Sequence, residues 1–205
     1  MNDSFIEALA KPQPVPGGGA AAAHGACVGL ALLEKIVVVE LRRDLTSSRS
    51  QWQNLLEEVR KSASTLLQLR DEDGRAYIRF AQAKNFAKSK GEVLASLQEA
   101  IESPLKIIEE ANEAFNLVAE AGNHCKNHLI SDLLVVGELL AATIKGTYRI
   151  AQGNLGLMGA SSKRKDYGDR LEQLVSGSME LYESVEKALV ERAGLREFLG
   201  SRLKN

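Results

Sequence analysis

Two aspartates stand where an acid is expensive. Steps of three and four residues link Trp52, Leu55, Val59, Ser62, Leu66, Leu69, Asp73, Ala76 and Phe80, the spacing that keeps side chains on one face of a helix. Asp73 therefore falls on an otherwise apolar stripe. Asp132 likewise shares a helical face with Val135, Leu139, Ala142 and Gly146. A carboxylate on a buried stripe is costly unless it is paired or put to use. Neutralised by an Arg or Lys of a neighbouring helix, Asp73 is structural; facing a cavity, it is a tuned acid or base. Asp132 also has a plainer reading, as a first-turn acid favoured by the helix dipole.

A third chemical feature lies in the backbone. Pro14-Val15-Pro16-Gly17-Gly18-Gly19 runs directly into four alanines and His24. Consecutive glycines leave their peptide N–H groups uncovered, and the alanines start a helix within a residue or two of Gly19. The unpaired N–H groups of that first turn suit an anion or a carbonyl. The plainer alternative is a breaker ahead of a tightly packed small-residue helix. Neither a Walker loop nor a dinucleotide fingerprint is present, and no Ser/His/Asp signature appears. His124, Cys125 and His128 cluster near a turn, but their spacing matches no common zinc pattern, so no metal is expected.

The elements that must position these groups read as helices throughout. A short helix covers residues 4–10, with Asn2, Asp3 or Ser4 as cap. A long one follows from about Ala20 to about Asp44, small in its first half and bulky in its second. Thr46 to Ser50 is a polar loop, the Asp73 helix comes next, and Lys88 to Gly91 is a break. The pattern from Leu94 to Val118 is interrupted by Ser103-Pro104, which either kinks one helix or starts another. Gly122-Asn123 supplies a left-handed cap. A helix from Ser131 or Asp132 ends near Asn154, and a last one runs from about Asp166 to about Arg202. No alternation of strand type survives, so the fold class is all-α, a bundle of long antiparallel helices.

Bulk properties narrow the function. The 205 residues suit a single domain, 1–205. A net charge of −1 argues against nucleic acid, and the Lys163-Arg164-Lys165 run reads as a solvated loop. Two distant cysteines and no visible signal peptide suggest a reducing cytoplasm. Val15 to Leu33 is uncharged but carries five glycines and His24, and reads as a core helix rather than a membrane span.

Several motifs in order resemble a known family. Phe5-Ile6-Glu7-Ala8-Leu9-Ala10 with Pro14-Val15-Pro16-Gly17-Gly18-Gly19 resembles the opening of the formiminotransferase-cyclodeaminase C-terminal domain family, which includes stand-alone methenyltetrahydrofolate cyclohydrolases. Asp71-Glu72-Asp73-Gly74-Arg75-Ala76-Tyr77, Ser103-Pro104-Leu105, and Ile130-Ser131-Asp132 with Gly146 and Asn154-Leu155 resemble its later motifs. Ala20 replaces a usual Ser, Ile150 a usual Asn, and Thr46-Ser47-Ser48-Arg49 a usual basic loop. The resemblance implies a folate one-carbon enzyme acting on 5,10-methenyltetrahydrofolate or 5-formiminotetrahydrofolate, with no metal or redox cofactor. It also implies a homodimer with its site near the helix interface. Asp132 is then the catalytic carboxylate and Asp73 its partner or a pterin anchor. Pro16, Gly17, Gly18, Gly19, Asn127, Ser131 and Asn154 are substrate-binding, and Lys or Arg residues hold the glutamate tail. These groups should converge on one hollow. The alternative is a diverged, non-catalytic member that binds another small molecule.

Overall fold

Small residues on the second helix decide how closely the bundle packs. The computed structural model describes residues 4–43, 49–86 and 89–194. Among them are helices α1 (Ser4–Leu9), α2 (Gly18–Arg43), α3 (Arg49–Phe86), α4 (Lys90–His124), α5 (Ile130–Gly156) and α6 (Ser162–Ala193), with a 3-10 turn at Asn127–Leu129 before α5. No strand occurs among the described residues. Along α2, Gly18, Ala22, Gly25 and Gly29 meet Ile150, Gly146, Thr143 and Leu139 of α5 in that descending order. The two helices are therefore antiparallel, and the seam advances by steps of three and four. A Cβ added at Gly29 would stand 3.4 Å from Leu139, so the backbones approach to contact distance. The Thr143 hydroxyl donates to the Ala22 carbonyl across this seam at 2.8 Å.

Four long helices form a ring in which α2 packs on α3 and α5, and α4 on α3 and α5; α6 lies against α4 and α5. Arg79–Glu99 and Ser62–Glu110 contacts set α3 antiparallel to α4. Contacts of Glu102 with Arg170 and of Gly122 with Leu189 make α6 parallel to α4. The interior is aliphatic: Leu30, Leu33, Leu66, Ile101, Ile108, Phe115, Leu133 and Ile144 are all fully buried. The seam read from the sequence of α3 is buried at every position except Asp73, which is half-buried.

Several boundaries differ from the sequence reading. Ser103-Pro104 starts no new helix, because α4 runs through Pro104. Proline deletes the hydrogen bond to the carbonyl four residues back, here that of Ala100. Asn154 of α5 repairs the loss, its Nδ2 donating to the Ala100 carbonyl at 2.7 Å. Gly122-Asn123 forms no left-handed cap; α4 continues to His124, and Gly194 is the single residue of positive φ among those described. Gly194 closes α6 at Ala193, so that helix does not extend to Arg202, and Ser161 caps its start by accepting from the Arg164 N–H. Asn2 and Asp3, most of the Thr46 to Ser50 loop, and Lys88 lie outside the described residues. Of the helices, α2 is long and apolar enough by composition to cross a membrane, and it is built into the ring.

Candidate functional site

One end of the ring opens into a cavity of about 370 Å³, bounded by the 14–19 segment, α3, α4 and the end of α5. Gly17, Gly18, Gly19, Asp73, Tyr77, Arg149, Ile150 and Asn154 line it. The first turn of α2 leaves N–H groups without intrahelical acceptors, and Asp73 comes up against them from α3. Its carboxylate accepts the Ala20 N–H and takes a 3.4 Å hydrogen bond from the Ser103 hydroxyl. A Cβ at Gly19 would lie 2.7 Å from the Asp73 carboxyl carbon; only glycine lets the acid come this close. Burial pushes the Asp73 carboxyl above its ordinary range, and the Ser103 and Ala20 bonds hold it back in part. No cation pairs with Asp73 among the described residues; its partners are the Ser103 hydroxyl and the Ala20 N–H. Ile150 covers the opposite flank, its Cδ1 close over Gly18.

The result is a half-desolvated carboxyl, a bare helix end and an aromatic ring around an opening the size of a fused bicycle. A carboxyl so placed can accept a proton and return it. Most of the residues that line this opening lie in the family motifs, and a family model described as Formiminotransferase-cyclodeaminase matches residues 1–173. The chain belongs to that family. It is 26% identical over 154 residues to formimidoyltransferase-cyclodeaminase of Gallus gallus and 28% identical over 154 residues to that of Mus musculus, covering 71% and 70% of this chain. The chain spans about 28% of the length of these curated relatives. A solved structure of formiminotetrahydrofolate cyclodeaminase from Thermotoga maritima superposes with a TM-score of 0.81, at 22% identity, over 90% of this chain and 93% of the other. This likeness shows the cyclodeaminase fold.

Membership in the family does not bring every expected residue to the opening. Asp73, Gly17, Gly18, Gly19 and Asn154 meet there. Pro16 lines a neighbouring cavity instead. Asp132 sits in the first turn of α5, 18 residues and about 27 Å of helix away from Ile150. There its carboxylate is 3.8 Å from Lys35 Nζ and 42% exposed. Ser131 is beside it and Asn127 lies in the preceding 3-10 turn. Within one chain the two aspartates do not share a hollow, because an antiparallel seam puts the two ends of α5 at opposite ends of the bundle.

Three lining or bracing residues went unassigned in the sequence. Tyr77 stands one turn beyond Asp73, and its exposure at 48% is unusual for an aromatic on a core helix. Ser103 looked like a cap but is buried and serves Asp73. Arg149 gave no signal beyond its place next to Ile150. His124 packs edge-on to Trp52, and His128 lies 3.3 Å from Arg43. Among the described residues no three His, Cys, Asp or Glu side chains are grouped as a metal would need.

Proposed function

We propose that this chain is a folate one-carbon enzyme that closes the ring of 5-formiminotetrahydrofolate with release of ammonia. The observation that carries the reading is the Asp73 carboxyl, partly desolvated and facing a pterin-sized opening beside the bare start of α2. Family membership and the names of the relatives support the choice of substrate. In the reaction N10 attacks the carbon of the protonated formimino group (N5–CH=NH2+), the N10–C bond forms, and the bond from that carbon to the formimino nitrogen breaks. The N10 proton passes to the departing nitrogen, which leaves as NH3, and the positive charge stays on the methenyl product. Asp73 takes that proton and delivers it, a task its raised pKa suits, since both protonation states are then accessible. Gly18 and Gly19 N–H groups donate to the pterin, and the Tyr77 ring lies against its plane. The reaction balances without a metal or redox cofactor.

The same reading makes the enzyme a homodimer. An 18-residue window of α2 has a mean hydropathy of 1.7, yet only 39% of it is buried within the chain. Val28 and Val135 on the adjoining outer faces of α2 and α5 are about half exposed. Packed about a two-fold axis perpendicular to the helices, two such faces run antiparallel. A second copy's Asp132, with Ser131 and Asn127, would then come toward the first copy's opening. Asp132 keeps a catalytic role only through that pairing, and Asp73 takes the leading role.

The test is a spectrophotometric assay for 5,10-methenyltetrahydrofolate together with ammonia release. Formation of both from the formimino substrate is expected, with a loss of about 10²–10⁴-fold in kcat for Asp73→Asn. Consumption of the methenyl compound alone would replace this reading with a cyclohydrolase, in which water is the nucleophile. No turnover of either compound would leave a non-catalytic binding member. Unchanged turnover in Asp132→Asn, or a solution mass of one chain, would remove the dimeric site.

A further inference from the structure

A second cavity of about 400 Å³ lies behind the wall that Val15 and Gly74 present to the first, and both residues line both hollows. Its other walls come from α1 and from the face of α3 that carries Arg70 and Arg75. The wall is low: even a Cβ at Gly74 would only reach ordinary contact with Val15, at 3.6 Å. Asp73 and Arg75 are two residues apart, about 200° around the helix. One thus faces the first cavity and the other the second.

The charges of the second cavity are unequal in their commitments. Arg70 is occupied: its Nε donates to Asp71 at 2.9 Å, and its guanidinium lies 4.8 Å from the centre of the Phe5 ring. Phe5 in turn stacks on His24 at 4.3 Å. Asp71 is neutralised by the same contact. Arg75 is exposed, and among the described residues it has no hydrogen bond or ion pair. The second cavity therefore carries one unmatched positive charge on a fork-shaped donor, the group best suited to a carboxylate. The first cavity, at about 370 Å³, sits near the small end of the ~300–1,000 Å³ that drug-sized ligands fill. A pterin fits there; the aminobenzoyl and glutamyl parts of a folate need more room.

We propose that the second cavity is the subsite for the acidic tail of a folate-type ligand, with Arg75 binding its carboxylate. The ligand crosses Gly74, its ring beside Asp73 and its tail against α1. This inference rests on the folate reading above, and calorimetry separates the two. The full chain is titrated with tetrahydropteroate, which lacks glutamate, and with tetrahydrofolate carrying one and three glutamates. The glutamylated ligands should bind about tenfold tighter or more, the size of a charge-assisted hydrogen bond. Arg75→Gln should abolish that gain without changing tetrahydropteroate affinity, and Arg75→Lys should recover part of it. Binding of none of the three ligands overturns the folate reading itself. The subsite alone is overturned if glutamate adds nothing to wild-type affinity. It is equally overturned if the gain survives in Arg75→Gln or is lost in Arg149→Gln instead, at the cation of the first cavity.

Discussion

Glu40 and Asp73 are both acids turned inward, at opposite ends of the same ring, and they are used in opposite ways. Glu40 is 4% exposed and accepts the backbone N–H of Lys126 at 3.1 Å. Nearby the Arg192 guanidinium donates to the Cys125 carbonyl. That end is sealed, and its carboxylate completes the backbone bonding of the turn between α4 and α5. Asp73 completes a helix start too, but one of its sides looks onto empty space, and burial raises its pKa. A buried acid in a filled surrounding holds the chain together; one beside a vacancy is available for proton transfer.

The sharpest way to break this contrast is to neutralise each acid. Asp73→Asn should lower kcat about 10²–10⁴-fold while the melting temperature holds or rises. Glu40→Ala should do the reverse: about 1–3 kcal/mol of stability lost to the orphaned Lys126 N–H, with turnover per folded molecule unchanged. Denaturant titration beside steady-state kinetics reads both. Equal effects on activity from the two would erase the distinction.

Glycines at the two ends give a smaller, steric version. At Gly122 an added Cβ would lie 2.5 Å from Leu189 Cδ2, so Gly122→Ala should cost about 1–3 kcal/mol through overpacking and spare activity. At Gly19 the obstacle is Asp73 itself. Gly19→Ala should displace the acid and depress kcat, with stability changed by only about 1 kcal/mol, the worth of the Ala20–Asp73 bond.

The smallest effect is a pH dependence. Because the folded state raises the Asp73 pKa, it keeps a proton that the unfolded chain has already released. Stability should therefore fall as pH rises from about 3.9, the unfolded carboxylate value, to the folded pKa, by at most about 1.4 kcal/mol per unit. Above that window the contribution is constant. Asp73→Asn should flatten this segment in urea titrations at stepped pH.

Much of this was legible in the residues. The three-four seam of α3 named the buried face of that helix and singled out Asp73, because periodicity reports burial directly. The glycine turn and Asp73 met as their chemistry suggested. The same logic could not place Asp132 relative to Asp73: its stripe is a real packing face, but a stripe carries no information about which end of a helix meets which neighbour, and within one chain the two acids lie at opposite ends. Glu40 was invisible, since its partner is a backbone N–H 86 residues away. Arg75 was invisible for a different cause, as exposure and a missing partner leave no trace in sequence spacing.

Pro104 and Asn154 carry a lesson about which residues can change alone. The side-chain amide that meets the Ala100 carbonyl is needed only while the imino acid four places on withholds its own donor. Restoring that donor with Pro104→Ala should make Asn154→Ala nearly harmless to stability, whereas Asn154→Ala by itself strands a carbonyl. Two positions 50 residues apart are thus one heritable unit, free to drift together and costly to separate.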